Sequence, residues 1–112
     1  MLSKELTAAS TVPLVLSILE HGEEYGYALI QRVRELSGGK VQWTEGMLYP
    51  VLHWMEEREL IQSRWLESEN GRKRKYYSLS REGRRSLKND MEQWMTIHKL
   101  FSKLWKLQPR SV

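Results

Sequence analysis

The chain has 112 residues, of which 40% are hydrophobic and 29% charged, with a net charge of +4 and no cysteine. This length predicts a single compact domain, because a second full domain would need more chain. The absence of cysteine excludes disulfides, thiolate metal ligands and a cysteine nucleophile.

The N-terminal part of the sequence shows no signal for export or membrane insertion. The longest nearly uncharged segment, Leu6 to Leu19, contains several polar residues and is shorter than the roughly 20 residues that cross a bilayer. Lys4 is followed by Glu5, without the basic start and small-residue cleavage site of a signal peptide. We therefore expect a cytoplasmic protein.

Two helices are predicted in the first third of the chain. The first covers Leu6 to Leu19 and has apolar residues on every side, which indicates that other elements cover several of its faces. Pro13 predicts either a kink or a regular helix that begins close to it. The second helix runs from about Tyr25 to Leu36 and ends at Ser37-Gly38-Gly39.

A third helix is predicted to begin at Thr44, a suitable N-cap, and it separates apolar from polar side chains. Its inward face has apolar residues at the i, i+3, i+4 and i+7 positions: Leu48, Val51, Leu52 and Met55. The opposite side is formed by Gly46, Tyr49, Pro50, His53 and Glu57. A glycine on this outer side permits close approach of another molecule to the helix backbone.

Two extended runs, Ile61 to Leu66 and Arg74 to Leu79, predict a β-hairpin, since Asn70-Gly71 between them is a strong signal for a tight turn. Adjacent strand residues point to opposite faces, so of Tyr76 and Tyr77 one ring is expected to be buried and the other to face outward.

Positive charge is concentrated at this hairpin and just beyond it. Residues 72–88 contain eight Lys and Arg residues against one acid, Glu82, a net +7 that leaves −3 for the other 95 residues. Such a concentration is typical of a surface that binds a polyanion. The alternative is a basic hairpin that is only solvated.

A final helix is predicted from its N-cap, Ser80, to about Leu107. An apolar seam runs along it at spacings of four and three residues: Leu87, Met91, Trp94, His98, Phe101 and Trp105. A second stripe widens the apolar face: Ile97, Leu100, Leu104 and Leu107. Because so small a domain cannot cover this surface, we expect the seam to form the interface of a homodimer.

Three helices followed by a basic hairpin predict a winged helix-turn-helix, a mainly α fold with a small β-hairpin (α+β). Residues 1–79 would form the DNA-binding domain, 80–107 the dimerisation helix and 108–112 a tail. In such a fold one helix meets base edges in the major groove while the hairpin neutralises phosphates. The alternative is an adaptor that binds an acidic protein through the same hairpin.

Specific roles in binding double-stranded DNA follow from these positions. Thr44, Tyr49 and His53 are the predicted base or backbone contacts, and Gly46 and Pro50 shape the approach to the groove. The predicted phosphate contacts are the four basic residues of the hairpin: Arg72, Lys73, Arg74 and Lys75.

Several short motifs lie at the boundaries of these elements. They are Tyr25-Gly26-Tyr27, Glu35-Leu36-Ser37, the segment Glu45 to Leu52, Leu60-Ile61, the segment Arg74 to Ser80, and Glu82-Gly83-Arg84. Together they resemble the PadR family of bacterial transcriptional regulators over nearly the whole chain. The resemblance implies a dimeric repressor whose last helix packs on the partner's first and last helices. It also implies that a small molecule or drug relieves the repression.

Two residues depart from the pattern of that family. Glu59 stands where many members have glycine, which predicts a third helix that ends without a left-handed glycine cap and closes differently. Met47 stands where leucine or threonine is usual and predicts only softer packing.

Trp94 lies near the middle of the last helix, where a two-fold axis would bring it close to its symmetry mate. Two facing indoles form a slot for a planar aromatic or cationic effector, with Met91 and Met95 beside it. Small multidrug-binding members of the family are similar, with an aromatic residue at this place lining a pore between subunits. The alternative is a closed seam. The other tryptophans are interpreted as packing residues: Trp43, Trp54, Trp65 and Trp105.

No cofactor, metal site or enzymatic activity is predicted. His21, His53 and His98 lie in different segments without the spacing of metal ligands. The Gly38-Gly39-Lys40 segment follows a helix and lacks the first glycine and the Ser or Thr of a phosphate-binding loop. No serine has the context of a nucleophile elbow.

Overall fold

The computed structural model describes residues 2–106, in which four helices accompany a three-stranded antiparallel sheet. In chain order the elements are α1 (Lys4–Leu19), β1 (Glu24–Tyr25), α2 (Gly26–Leu36), α3 (Glu45–Glu57), β2 (Ile61–Glu67), β3 (Lys73–Leu79) and α4 (Arg81–Trp105). The α+β class and the hairpin between α3 and α4 predicted from the sequence are confirmed. No helix within residues 2–106 is long and apolar enough to span a membrane.

Helix α1 is the centre of the domain and packs against α2, α3, α4 and β3. This explains the apolar residues on all its sides, as predicted. It begins at Lys4, because the Ser3 hydroxyl accepts a hydrogen bond from the Leu6 amide at 3.1 Å and caps the helix. The helix is continuous through Pro13, so the interpretation that its regular part begins near the proline is wrong.

The hydrophobic core lies between α1, α2 and the inward face of α3. Its fully enclosed members have no exposed surface: Val15, Leu16, Leu29, Leu48, Leu52 and Met55. Leu48, Leu52 and Met55 belong to the face of α3 that the periodicity predicts to be inward. The orientation of α3 is therefore fixed by the core, which leaves its opposite face in solvent.

The sheet contains one strand that the sequence analysis missed. Strands β2 and β3 pair from Ile61↔Leu79 to Glu67↔Lys73, and β1 adds to the other edge of β3 through Tyr25↔Tyr76. Tyr77 is buried, with 4% of its surface exposed, which confirms that one of the two rings is buried; the other ring, Tyr76, is half-buried against Tyr25 and not free in solvent. Strand β1 ties the start of α2 to the middle of β3.

Helix α3 ends in a left-handed residue although no glycine is present. Glu59 has φ 61°, its amide donates to the Glu56 carbonyl at 3.0 Å, and the Leu60 amide donates to the Met55 carbonyl at 3.0 Å. This is the pair of bonds with which a glycine-capped helix closes. The expectation that the helix closes differently is wrong, since the glutamate adopts the glycine conformation at a steric cost of about 1–2 kcal/mol.

The start of α4 is packed against the end of α3. The Ser80 hydroxyl accepts from the Gly83 amide at 2.9 Å, and its single proton is shared between the carbonyl oxygens of Glu59 and Leu60, which lie 2.6 and 2.8 Å from the hydroxyl oxygen. Leu87 is the last buried residue of α4, although Met91 and Trp94 further along the helix still face α1 across a groove. Leu107 and the predicted tail, 108–112, lie outside the described residues.

Candidate nucleic-acid interface

The outer face of α3 is exposed along the whole helix, from Glu45 to Glu57. Thr44 caps the helix by accepting from the Met47 amide at 3.2 Å. The residues predicted from the helical spacing to face outward are all exposed: Gly46, Tyr49, Pro50, His53 and Glu57; Thr44 is exposed as well. A Cβ on Gly46 would meet no atom within 4 Å, so the backbone is open to a ligand here. Only His53 of this set contacts a carboxylate, with its Nε2 3.6 Å from Oε1 of Glu57.

The Tyr49 ring packs against the start of α2, where Gly26 leaves room for it. A Cβ on Gly26 would lie 2.6 Å from the Tyr49 hydroxyl oxygen, so only glycine leaves room for this ring. Partial burial, together with the nearby Glu45 carboxylate, raises the pKa of Tyr49 above its ordinary value. The hydroxyl therefore stays protonated at neutral pH and is available as a hydrogen-bond donor.

The hairpin of β2 and β3, here called the wing, presents its basic residues in two different ways. Arg72 and Lys73 are exposed and form no ion pair among residues 2–106. Arg74 is half-buried, with its guanidinium 4.3 Å from the centre of the Tyr25 ring. Tyr76 meets the edge of the same ring at 5.4 Å. The aromatic pair thus positions Arg74, while Arg72 and Lys73 extend into solvent.

Lys75 is engaged with α3. Its ammonium lies 3.2 Å from Oε1 of Glu56, and the Ser63 hydroxyl donates to Oε2 of Glu56 at 2.6 Å. The hydrogen bond from Ser63, followed by the contact with Lys75, lowers the pKa of Glu56. Glu56 is therefore ionised at neutral pH and compensates the charge of Lys75.

An open cleft of about 740 Å³ lies between α3, the start of α2 and the wing. Six of the predicted site residues line it together: Tyr49, His53, Arg72, Lys73, Arg74 and Lys75. Thr44, Gly46 and Pro50 do not line the cleft and occupy the exposed face of α3 beside it. The structure thus brings the helix face and the wing, which are distant in sequence, to one surface.

Four aromatic residues of the cleft were not predicted as site residues, and two of them, Tyr27 and Trp65, are exposed. Tyr27, 46% exposed, is in α2, and Trp65, 65% exposed, is in β2 opposite Lys75. The packing interpretation of Trp65 is wrong, because 65% of its surface is exposed; α3 covers this face of the wing only nearer Ser63, whose hydroxyl contacts Glu56. The alternation of side chains along β2, next to the basic strand, could have indicated that Trp65 is exposed, because few other elements pack against a wing.

The remaining tryptophans differ in burial. Trp43 is buried, at 2% exposed, which confirms its packing role. Trp54 is 43% exposed, so packing accounts for only part of its surface; the Arg58 guanidinium covers its ring at 4.9 Å. Trp105 is 60% exposed and stacks on Phe101 at 4.3 Å.

The predicted effector residues lie along α4. Met91 and Trp94 line an apolar groove of about 360 Å³ between α1 and α4, together with Leu6 and Leu14. Met95, 49% exposed, does not line this groove. Within residues 2–106 no three His, Cys, Asp or Glu side chains come together in a way that could hold a metal ion.

A helix face exposed beside a basic wing defines a winged-helix transcriptional regulator that binds DNA. Residues 15–89 match the family described as the transcriptional regulator PadR-like family. The chain belongs to this family, whose members are regulators of transcription and not enzymes.

Relatives with similar sequences come from several bacteria. The transcriptional regulator YqjI of Escherichia coli K12 is 32% identical over 80 residues, which are 71% of this chain and 37% of YqjI. The uncharacterized protein X of Lysinibacillus sphaericus is 25% identical over 87 residues, 78% of this chain and 80% of the relative. The chain thus spans a little over a third of YqjI and most of the Lysinibacillus protein.

Solved structures show the same fold over nearly the whole chain. A transcriptional regulator from Clostridium thermocellum, Cth-833, superposes with a TM-score of 0.82 at 25% identity, covering 92% of this chain and 97% of that one. A PadR family transcription regulator from Clostridium difficile R20291 has a TM-score of 0.74 at 33% identity, covering 86% and 98%. The PadR-like regulator BC4206 of Bacillus cereus has a TM-score of 0.80 at 26% identity, covering 96% and 100%.

Proposed function

We propose that the protein is a homodimeric, cytoplasmic transcriptional repressor that binds an inverted-repeat operator and is released from it by a small molecule. The observation that carries the proposal is the common surface formed by the exposed face of α3 and the basic wing. In each subunit α3 enters a major groove, and the two half-sites are about one helical turn, 10 bp, apart or a multiple of it.

The groups on this surface divide into base and phosphate contacts. Thr44, Tyr49 and His53 carry the hydrogen-bonding groups that face the groove, and Gly46 and Pro50 let the helix backbone approach. The phosphate contacts are three basic residues of the wing, Arg72, Lys73 and Arg74. Lys75 is next to them in sequence and was predicted as a fourth contact. Phosphate contacts set the register, and the α3 side chains distinguish sequences.

We assign residues 1–79 to DNA binding and residues 80–107 to dimerisation. Beyond Leu87 the large apolar side chains of α4 are 40% exposed or more, which is unfavourable for a helix left in water. The dimer interface we propose consists of the exposed part of the predicted seam, Met91, Trp94, His98, Phe101 and Trp105; the predicted role of Leu87 in it is wrong, because Leu87 is already buried in the core of its own protomer. Covering this seam with a second copy removes the exposed apolar surface and places two copies of α3 symmetrically for an inverted repeat.

The proposed effector is a planar aromatic or cationic molecule bound near the dimer axis by Trp94, Met91 and Met95. Trp94 is 40% exposed and Met95 49% exposed in one protomer, so both side chains have surface free for a ligand. An effector releases the operator only if it binds the non-operator arrangement of the dimer more tightly than the operator-bound one. The proposal of repression itself rests on the resemblance to the PadR family.

The division of roles on the DNA surface can be tested with His53→Ala and Arg72→Ala, using fluorescence anisotropy on the preferred duplex and on an unrelated duplex across a salt series. His53→Ala should weaken the preferred duplex by about 1–3 kcal/mol and change the unrelated one little. Arg72→Ala should weaken both and lower the salt slope by about 0.9 for each phosphate that the variant no longer neutralises.

A charge-matched control for this experiment is Arg85→Ala. Arg85 is on α4, is paired with Glu82 at 3.1 Å and does not line the cleft. Its replacement should leave the slope unchanged. If Arg72→Ala keeps the wild-type affinity and slope, the wing does not contact phosphate and the proposed surface is wrong.

A further inference from the structure

Lys75 is the one basic residue of the wing's return strand β3 whose ammonium contacts a carboxylate in the described part of the chain. The carboxylate, from Glu56 on α3, uses Oε1 for Lys75 of β3 at 3.2 Å and Oε2 for the hydroxyl of Ser63 on β2 at 2.6 Å. Each oxygen of this carboxylate thus contacts a different strand of the wing. One acidic side chain therefore ties α3 to the wing.

The surroundings of the pair make it stronger than an ordinary surface contact. The side chains of Lys75 and Glu56 are only 35% and 29% exposed, so solvent screens their attraction less than at a fully exposed site. The Lys75 ammonium also lies 5.5 Å from the centre of the buried Tyr77 ring. By contrast, Arg72 and Lys73 are exposed and unpaired among residues 2–106.

Pairing determines what a cation contributes to DNA binding. A lysine that neutralises a phosphate displaces counterions from the duplex, which gives affinity for any sequence and steep salt dependence. A lysine already neutralised by a carboxylate has to lose that partner first, and the carboxylate left beside the duplex would repel phosphate. Glu56 therefore removes one charge from the part of the binding energy that does not depend on sequence.

We propose that Glu56 is a positioning residue for DNA recognition, which holds the wing on α3 and withholds Lys75 from the phosphate backbone. This inference rests on the proposed function, and it changes the sequence-based role of Lys75 from a phosphate contact to a structural tie. It makes Glu56 a determinant of the ratio between specific and non-specific affinity, although it reads no base.

The test compares Glu56→Gln, Lys75→Ala, the double variant and Arg72→Ala, using anisotropy on a labelled random-sequence duplex across a salt series. Glu56→Gln frees Lys75, so the salt slope should rise by about 0.9 per subunit and random-sequence affinity about fivefold per subunit near 0.15 M salt. Lys75→Ala should leave the slope unchanged, whereas Arg72→Ala lowers it. The double variant should return to the wild-type slope, because the freed cation is gone.

The matched control is Glu57→Gln, which removes the neighbouring acid of α3, a side chain 66% exposed that contacts only His53 among the ion pairs of residues 2–106. It corrects for the loss of one negative charge near DNA. The inference is overturned if Lys75→Ala lowers the salt slope as much as Arg72→Ala does. It is also overturned if Glu56→Gln raises the slope and the affinity no more than Glu57→Gln does. Lys75→Ala keeps the test open if Glu56→Gln fails to fold. Absence of duplex binding by the wild-type protein would overturn the proposed function itself.

Discussion

Replacing Gly83 by alanine should destabilise the protein more than any surface substitution. The added Cβ would lie 2.0 Å from the Leu60 carbonyl oxygen and 2.7 Å from the Leu79 side chain. That carbonyl accepts the Ser80 hydroxyl at 2.8 Å and the Ser80 amide at 3.2 Å, so it cannot move without weakening both bonds. Overpacking costs about 1–3 kcal/mol and each of the two weakened bonds up to about 1 kcal/mol, which gives a loss of about 1–5 kcal/mol.

Urea unfolding followed by tryptophan fluorescence, at one fixed protein concentration, measures this loss as a shift of the midpoint. The control is Gly46→Ala, the same change near the start of α3, where the new Cβ meets nothing within 4 Å. The control should be neutral or gain up to about 1 kcal/mol from helix propensity. A Gly83→Ala protein within about 0.5 kcal/mol of wild type would refute the packing argument for the junction of α3 and α4.

Three further outcomes are expected. Glu59→Gly should raise the free energy of unfolding by about 0.5–1 kcal/mol, because glycine adopts the left-handed end of α3 without strain; a loss of stability in urea unfolding would contradict this. Phe101→Glu should convert a dimer to a monomer in sedimentation velocity, since it places a charge on the proposed seam, where Phe101 is 41% exposed; an unchanged dimer would place the interface elsewhere. Trp94→Ala should weaken binding of a planar cationic dye at least fivefold, the loss expected for about 1 kcal/mol or more of stacking; equal dye affinity in the variant would make Trp94 a packing residue.

Much of the fold could be predicted because its helices have regular apolar periodicity. The spacing of Leu48, Leu52 and Met55 identified the buried face of α3 and, by subtraction, the exposed one. Strand β1 escaped prediction because two residues, Glu24 and Tyr25, contain no alternation to detect. Strand β1 forms only because the folded chain places β3 next to these two residues.

The site was predictable in composition but not in its contacts. A run of four basic residues indicated the wing, yet the sequence makes them look equivalent. Folding separates them, since Lys75 meets Glu56, 19 positions away, and Arg74 meets the Tyr25 ring. The left-handed conformation of Glu59 could likewise not be predicted, because it depends on the contact of the Glu59 carbonyl with the Ser80 hydroxyl. Such tertiary contacts override local propensity.

The central claim is that two copies of α3 and its wing bind symmetric half-sites on DNA. Hydroxyl-radical footprinting of the wild-type protein on the DNA upstream of its own coding sequence tests this claim most directly, because small repressors often regulate neighbouring genes or their own. The account predicts two equivalent protected segments related by a two-fold axis, about 10 bp apart or a multiple of it. A single unrepeated protected half-site at saturating protein, or no discrete protection, would contradict it.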